Sequence, residues 1–203
     1  MLHLAVFVSG RGSNFRSIQR AIAESRLDAR IAVAISNRDD APALEFASGM
    51  GIAARSFAGI PAAQHGAWLH DTLAAFDVNF IALAGYMKLV PPEIVVAYRQ
   101  RIVNIHPALL PAFGGKGMYG HHVHEAVIAS GAKVSGATVH LVDEEYDRGP
   151  IVAQRCTPVR EDDTAESLAA RVLEIEHELY PEALRLFAEE RVAVRGNRTF
   201  IRR

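Results

Sequence analysis

Short apolar, β-branched runs recur along this chain, and segments of helical period separate them. Residues 4–8, 31–35, 78–84, 101–106, 134–142 and 151–157 read as strands. Between them Phe15, Ile18 and Ile22 recur at helical spacing. So do Leu44, Ala47 and Met50, closed by Gly49 and Gly51, and then Trp68, Leu69 and Leu73. A strand that is apolar along its whole length is buried on both faces, which requires helices above and below it. The expected fold class is therefore α/β, with a mostly parallel central sheet and helices on both faces. A last long helix follows. Asp163 and Glu166 resemble a capping box, Leu168, Val172, Ile175 and Leu179 form the apolar stripe, and Pro181 is expected to end or kink it.

The chain has 203 residues, half of them apolar, which suits one domain with a sizeable core. No repeat or Pro/Gly/Ser linker divides it, so 1–203 reads as a single complete unit. The formal net charge of -1 argues against a non-specific nucleic-acid binder. Residues 191–203 are locally basic and read as a solvated tail. The single cysteine, Cys156, permits no internal disulfide and reads as a buried small residue in a strand. The N-terminus has no charged leader, and no run approaches the roughly 18 apolar residues of a membrane span. These features point to a cytoplasmic protein that engages neither membrane nor nucleic acid.

Five segments can carry chemistry. Ser9-Gly10-Arg11-Gly12-Ser13-Asn14 joins a strand to a helix. Its glycines permit a tight turn, and the free N–H groups of the helix start favour an anion. It lacks the Lys of a Walker A loop and the third glycine of a dinucleotide fingerprint, so it suits a single phosphate. In Val103-Asn104-Ile105-His106-Pro107, alternation places Asn104 and His106 on one face of a strand tip. An amide beside an imidazole suits a developing oxyanion and a proton transfer. An acid near His106 is expected to raise its pKa and orient its ring. The acidic loop that follows residues 138–142 offers Asp143, Glu144, Glu145 and Asp147, and spacing does not choose among them. Leu83-Ala84-Gly85-Tyr86-Met87-Lys88-Leu89-Val90 is apolar with one cation; it suits core packing or a flat apolar pocket. His121, His122, His124 and Glu125 match no metal-ligand spacing and read as a polar loop entering a helix over 125–129, with no metal.

Taken together, these segments resemble the glycinamide ribonucleotide formyltransferases, folate-dependent formyl transferases of purine synthesis. The likeness runs through the Ser-Gly-Arg-Gly-Ser-Asn start, Leu83 to Lys88, Asn104-Ile105-His106-Pro107 with Leu109-Leu110-Pro111, Asp143 to Pro150, and Glu176-His177 before Tyr180-Pro181. It implies a Rossmann-like formyltransferase fold. It also implies 10-formyltetrahydrofolate as formyl donor, small-molecule substrates only, and a monomer or homodimer. Residues 1–100 would mainly bind the ribotide phosphate, through Gly12, Ser13 and Asn14. Residues 101–203 would mainly hold the catalytic and folate sites. Asn104, His106 and Asp147 would be catalytic, the resemblance selecting Asp147 among the four acids. Asp147 would keep His106 protonated or move protons through a water. Met87, Lys88, Leu89, Val90, Asn104, Asp143 and Glu144 would contact the folate, His140 would support the site from behind, and Glu176 would meet the glycinamide amine.

Two departures stand out: the longer loop over 113–120, and His65 where some relatives carry an arginine near the folate tail. The rival readings are formyltetrahydrofolate deformylase, methionyl-tRNA formyltransferase and a non-catalytic nucleotide-binding module. The first two normally carry a further domain, which this chain is expected to lack.

Overall fold

The computed structural model describes residues 1–202. Seven strands form one sheet in the order β3-β2-β1-β4-β5-β6-β7, and two more form a separate hairpin. The chain resolves into two compact units, Met1–Val103 and Asn104–Arg203, and strand β5 (Ile102–His106) contributes to both.

The first unit alternates strand and helix: β1 (Leu2–Val8), α1 (Ser13–Ala23), β2 (Ala29–Ser36), α2 (Pro42–Gly49), β3 (Ala53–Ser56), α3 (His65–Ala75), β4 (Phe80–Leu83) and α4 (Pro92–Ala97). β1 pairs in parallel with β2 and β4, and β2 with β3. Residues 4–8 of β1 are all buried, as a strand covered on both faces must be. Phe15, Ile18 and Ala21 supply the buried stripe of α1. The short strand β3 has no sequence signal. Its four residues, Ala-Ala-Arg-Ser, have low β propensity, and pairing with β2 makes them a strand.

The second unit holds α5 (His121–Ser130), β6 (Val134–Leu141), β7 (Ile151–Pro158), α6 (Ala165–Ala188), β8 (Val192–Arg195) and β9 (Arg198–Ile201). β7 runs antiparallel to β6. Helix α6 packs on β6, β7 and α5. Its start is one residue later than expected. Thr164 is the N-cap and Ser167 completes the box, while Asp163 pairs with Arg171 at 2.6 Å instead. Pro181 is buried inside α6, which runs seven residues further to Ala188. Along its stripe Leu168, Val172 and Leu179 are buried, Ile175 is half-buried, and Glu176 is buried beside them.

Three expectations are corrected. Residues 191–202 are not a solvated tail but mostly the β8–β9 hairpin, whose Thr199 hydroxyl donates to the Ile151 carbonyl at 2.7 Å. Cys156 is exposed on the edge strand β7, not buried. The histidines do not form a loop: His121, His122 and His124 occupy the first turn of α5, which starts four residues earlier than expected. Among the described residues no helix is long and apolar enough to cross a membrane.

Ile18 is fully buried under the sheet of the first unit. Ile18→Ala is expected to cost about 2–5 kcal/mol, from lost burial plus the cavity left behind. Urea unfolding with an unchanged slope and a lower midpoint would check it.

Candidate active site

Strand β5 ends in Asn104, Ile105 and His106, and the pleat places Asn104 and His106 on one face. His106 is 3% exposed. The chain then passes through a loop with a cis Leu110–Pro111 bond. Thr138 on β6 anchors this loop: it donates to the Ala108 carbonyl at 2.6 Å and accepts from the Leu110 N–H at 3.0 Å. Gln154 on β7 donates to the Leu110 carbonyl at 2.8 Å. Two strands thus hold the segment that follows His106.

Hydrogen-bond partners decide the ring tautomers. His106 Nε2 lies 2.8 Å from the Phe113 carbonyl, which can only accept, so Nε2 carries the hydrogen. Its Nδ1 then faces Asp147 Oδ2 at 3.7 Å. His140, at the end of β6, donates from Nδ1 to the Leu141 carbonyl at 2.9 Å. Its Nε2 accepts from the Asn104 amide at 3.1 Å and lies 3.5 Å from Asp147 Oδ1. Asp147 Oδ2 also accepts the Gly115 N–H at 2.9 Å. One carboxylate therefore sits between two imidazoles. The Asn104 amide, with one hydrogen given to His140, has a second to offer an oxyanion.

The backbone needed for this is specific. Asp147 has φ 57°, a left-handed conformation that Asp tolerates better than most residues. A Cβ on Gly149 would lie 1.9 Å from the Leu141 carbonyl, so only glycine lets the turn after Asp147 close on β6. A Cβ on Gly114 would meet Leu110 Cδ2 at 2.5 Å and Asp147 Cβ at 3.1 Å.

Electrostatics correct one expectation. Burial lowers the His106 pKa below its ordinary value, and this exceeds the upward pull of Asp147 and the Phe113 carbonyl; His140 adds to the lowering. The expected protonated His106 is therefore a neutral imidazole at rest. Burial pushes the Asp147 carboxyl up; the neighbouring His140, the Gly115 N–H that donates to it and the neighbouring His106 outweigh this and hold the group below its usual value. The arrangement is an ionised carboxylate beside a neutral base that gains an ion pair when it takes a proton.

In the first unit, Gly12 caps α1 with φ 72°, and a Cβ there would lie 2.7 Å from Ala43 Cβ. Both the angle and the close approach require glycine. Ser13 opens the helix, Asn14 is buried, and the first turn of α1 contains no acid, so its N–H groups present an unopposed positive end. Met87, Lys88 and Leu89 are exposed and the Val90 side chain is buried.

Asp143 and Glu144 lie on the acidic loop, where Asp143 accepts the Glu145 N–H at 3.0 Å and Glu144 is exposed. Glu176 is buried on α6. His65 lies 2.8 Å from the Ile60 carbonyl, which accepts from its Nε2. Among the described residues, no group of three His, Cys, Asp or Glu could hold a metal. The contributions of Phe113 and Gly115 escaped the sequence reading. They act through backbone carbonyl and N–H, and the adjacent Gly114-Gly115 pair is the only trace they leave.

The family model of formyl transferases matches residues 2–184. The chain belongs to the formyl transferase family. It is 51% identical, over 95% of its length, to the chloroplastic phosphoribosylglycinamide formyltransferase of Vigna unguiculata, and it spans 62% of that relative's length. A crystal structure of glycinamide ribonucleotide transformylase 1 from Symbiobacterium toebii superposes with a TM-score of 0.93 at 41% identity, covering 99% of this chain and 94% of that one. A formyltetrahydrofolate deformylase from Pseudomonas syringae superposes with a TM-score of 0.87 at 26% identity, covering 99% of this chain and 66% of that one. The fold class expected for this formyl transferase, a mostly parallel central sheet, agrees with these neighbours.

His124 is buried in α5, its Nδ1 has no hydrogen-bond partner, and burial lowers its pKa to about 4, with His121 and His106 adding to the effect. The unfolded chain binds this proton more readily than the folded one. The stabilising difference is complete above pH 6.5 and is lost as pH falls toward about 4. The loss is expected to be about 3 kcal/mol. The urea midpoint should fall less between neutral and acid pH for His124→Leu than for the parent; parallel profiles would sink the assignment.

Proposed function

We propose that this chain transfers the formyl group of 10-formyltetrahydrofolate to the amine of 5'-phosphoribosylglycinamide. The products are N-formylglycinamide ribonucleotide and tetrahydrofolate, in purine synthesis. The observation that carries this reading is the carboxylate of Asp147 held between His106 and His140, with the Asn104 amide on the same strand tip as His106. Its setting in a formyl transferase chain makes the formyl carbon the electrophile.

The amine nitrogen attacks that carbon, and the carbonyl oxygen becomes an oxyanion. Asn104 supplies a hydrogen bond that strengthens as this charge develops. His106, neutral at rest, takes the proton that the amine sheds, and Asp147 stabilises the imidazolium so formed. The proton returns to the folate nitrogen as its bond to the formyl carbon breaks. The carboxylate is thus more valuable after proton transfer than before it.

Gly12, Ser13 and Asn14 would hold the ribotide phosphate, giving residues 1–100 that share of the work and residues 101–203 the chemistry. Met87, Lys88, Leu89, Val90, Asn104, Asp143 and Glu144 would contact the folate, and Glu176 the glycinamide amine. The absence of an internal disulfide supports a cytoplasmic setting, and the protein is read as a monomer or homodimer working on small molecules alone.

Incubation with 10-formyltetrahydrofolate, with and without glycinamide ribonucleotide, is expected to release tetrahydrofolate only when the amine is present. Release without it would favour deformylation, and no release with it would refute the reading. Asp147→Asn keeps the left-handed backbone but removes the charge. Turnover should fall about 10²- to 10⁴-fold while tetrahydrofolate binding stays within about twofold. Near-normal turnover would mean that another acid supports His106.

A further inference from the structure

Ser9 directly follows β1 and immediately precedes the Gly10–Asn14 turn, and it is 1% exposed. Its hydroxyl donates to Asn37 Oδ1 at 2.6 Å, on the loop that leaves β2. The same oxygen accepts the Met87 N–H at 3.0 Å, on the loop that leaves β4. The Ser9 N–H in turn donates to the Gly85 carbonyl at 3.2 Å, and the Gly10 carbonyl accepts the Ala43 N–H at 3.2 Å from the start of α2. One buried residue therefore ties three consecutive strand-end loops of the first unit together.

The direction of these bonds matters. The hydroxyl has one hydrogen, and Asn37 takes it, so a lone pair is oriented toward Met87. Losing Asn37 as acceptor would free the hydroxyl to rotate. Gly85 has φ 74°, so the chain turns sharply just before Met87, and two bonds from Ser9 fasten that turn at Gly85 and Met87. The next residues, Met87 to Leu89, are exposed and receive no such anchoring from burial of their own side chains.

We infer that Ser9 is a positioning residue that couples the phosphate-binding turn to the folate-contacting segment, so that ordering either loop orders the other. The inference rests on the formyl-transfer reading only for the identity of the two ligands. Ser9 touches neither ligand and acts through the Met87 N–H and through the start of the Gly10–Asn14 turn. Binding either ligand removes freedom that the other ligand would otherwise have to remove, which makes the coupling reciprocal.

The test compares the parent with Ser9→Ala, Asn37→Ala and Asn37→Asp in the full chain. Hydrogen exchange over residues 85–90 needs no ligand and no activity. It should be about tenfold faster in Ser9→Ala and intermediate in Asn37→Ala. Asn37→Asp, which keeps an acceptor oxygen, should remain near the parent. Calorimetric titration with tetrahydrofolate should show Kd raised about tenfold in Ser9→Ala. In turnover assays KM for the folate should rise with kcat within about threefold. Glycinamide ribonucleotide should tighten tetrahydrofolate binding in the parent and much less in the variant. Unaltered exchange at 85–90, or a fall in kcat and thermal midpoint with Kd unchanged, would overturn the coupling and leave formyl transfer standing. A parent that transfers no formyl group, with exchange faster in Ser9→Ala, would refute the reaction and leave the loop coupling standing.

Discussion

A half-buried carboxylate between two imidazoles is the interaction on which the second unit is organised. Asp147 reaches His106 at 3.7 Å and His140 at 3.5 Å, and a backbone N–H holds one of its oxygens. An unpaired carboxylate at this depth would be costly, because burial disfavours the charged form. The partners offset that cost only if the loop over 113–115 and the turn over 147–150 both close on the ends of β5 and β6. Gly114 and Gly149 are the residues whose missing side chains permit that closure. The site is thus a property of backbone fit as much as of its charged groups.

The same geometry explains why the His106 imidazole is neutral at rest. Two influences of opposite sign act on it, and burial is the larger. In the proposed reaction a base at this position benefits from the balance: it is free to accept a proton, and the charge it gains finds a carboxylate already in place. A His106 fully paired at rest would have spent that attraction on the ground state, where it does nothing for rate.

The first unit solves a different problem with neutral groups. Its strand ends carry loops held by the hydrogen bonds of Ser9 to Asn37 and Met87 and by the glycine at position 12. Here no buried charge is involved. The residues that position the loops are small and hold them through backbone contacts.

The sequence by itself determined the sheet and most of its helices, because a strand buried on both faces must be apolar throughout and a covering helix must show its stripe. It also placed Asn104 and His106 together, since a two-residue separation on a strand means one face. What it could not carry was distance between segments. Four acids in one loop look alike along the chain, and family likeness, not spacing, singled out Asp147. Tertiary structure brought that carboxylate to His106, set burial against charge to leave the imidazole neutral, and recruited the Phe113 carbonyl and Gly115 N–H. It also turned Ala53–Ser56 into a strand and residues 192–201 into a hairpin, where local propensity is weak and pairing decides. Backbone groups are the same at every residue, so the sequence marks their use only by the glycines that make room for it.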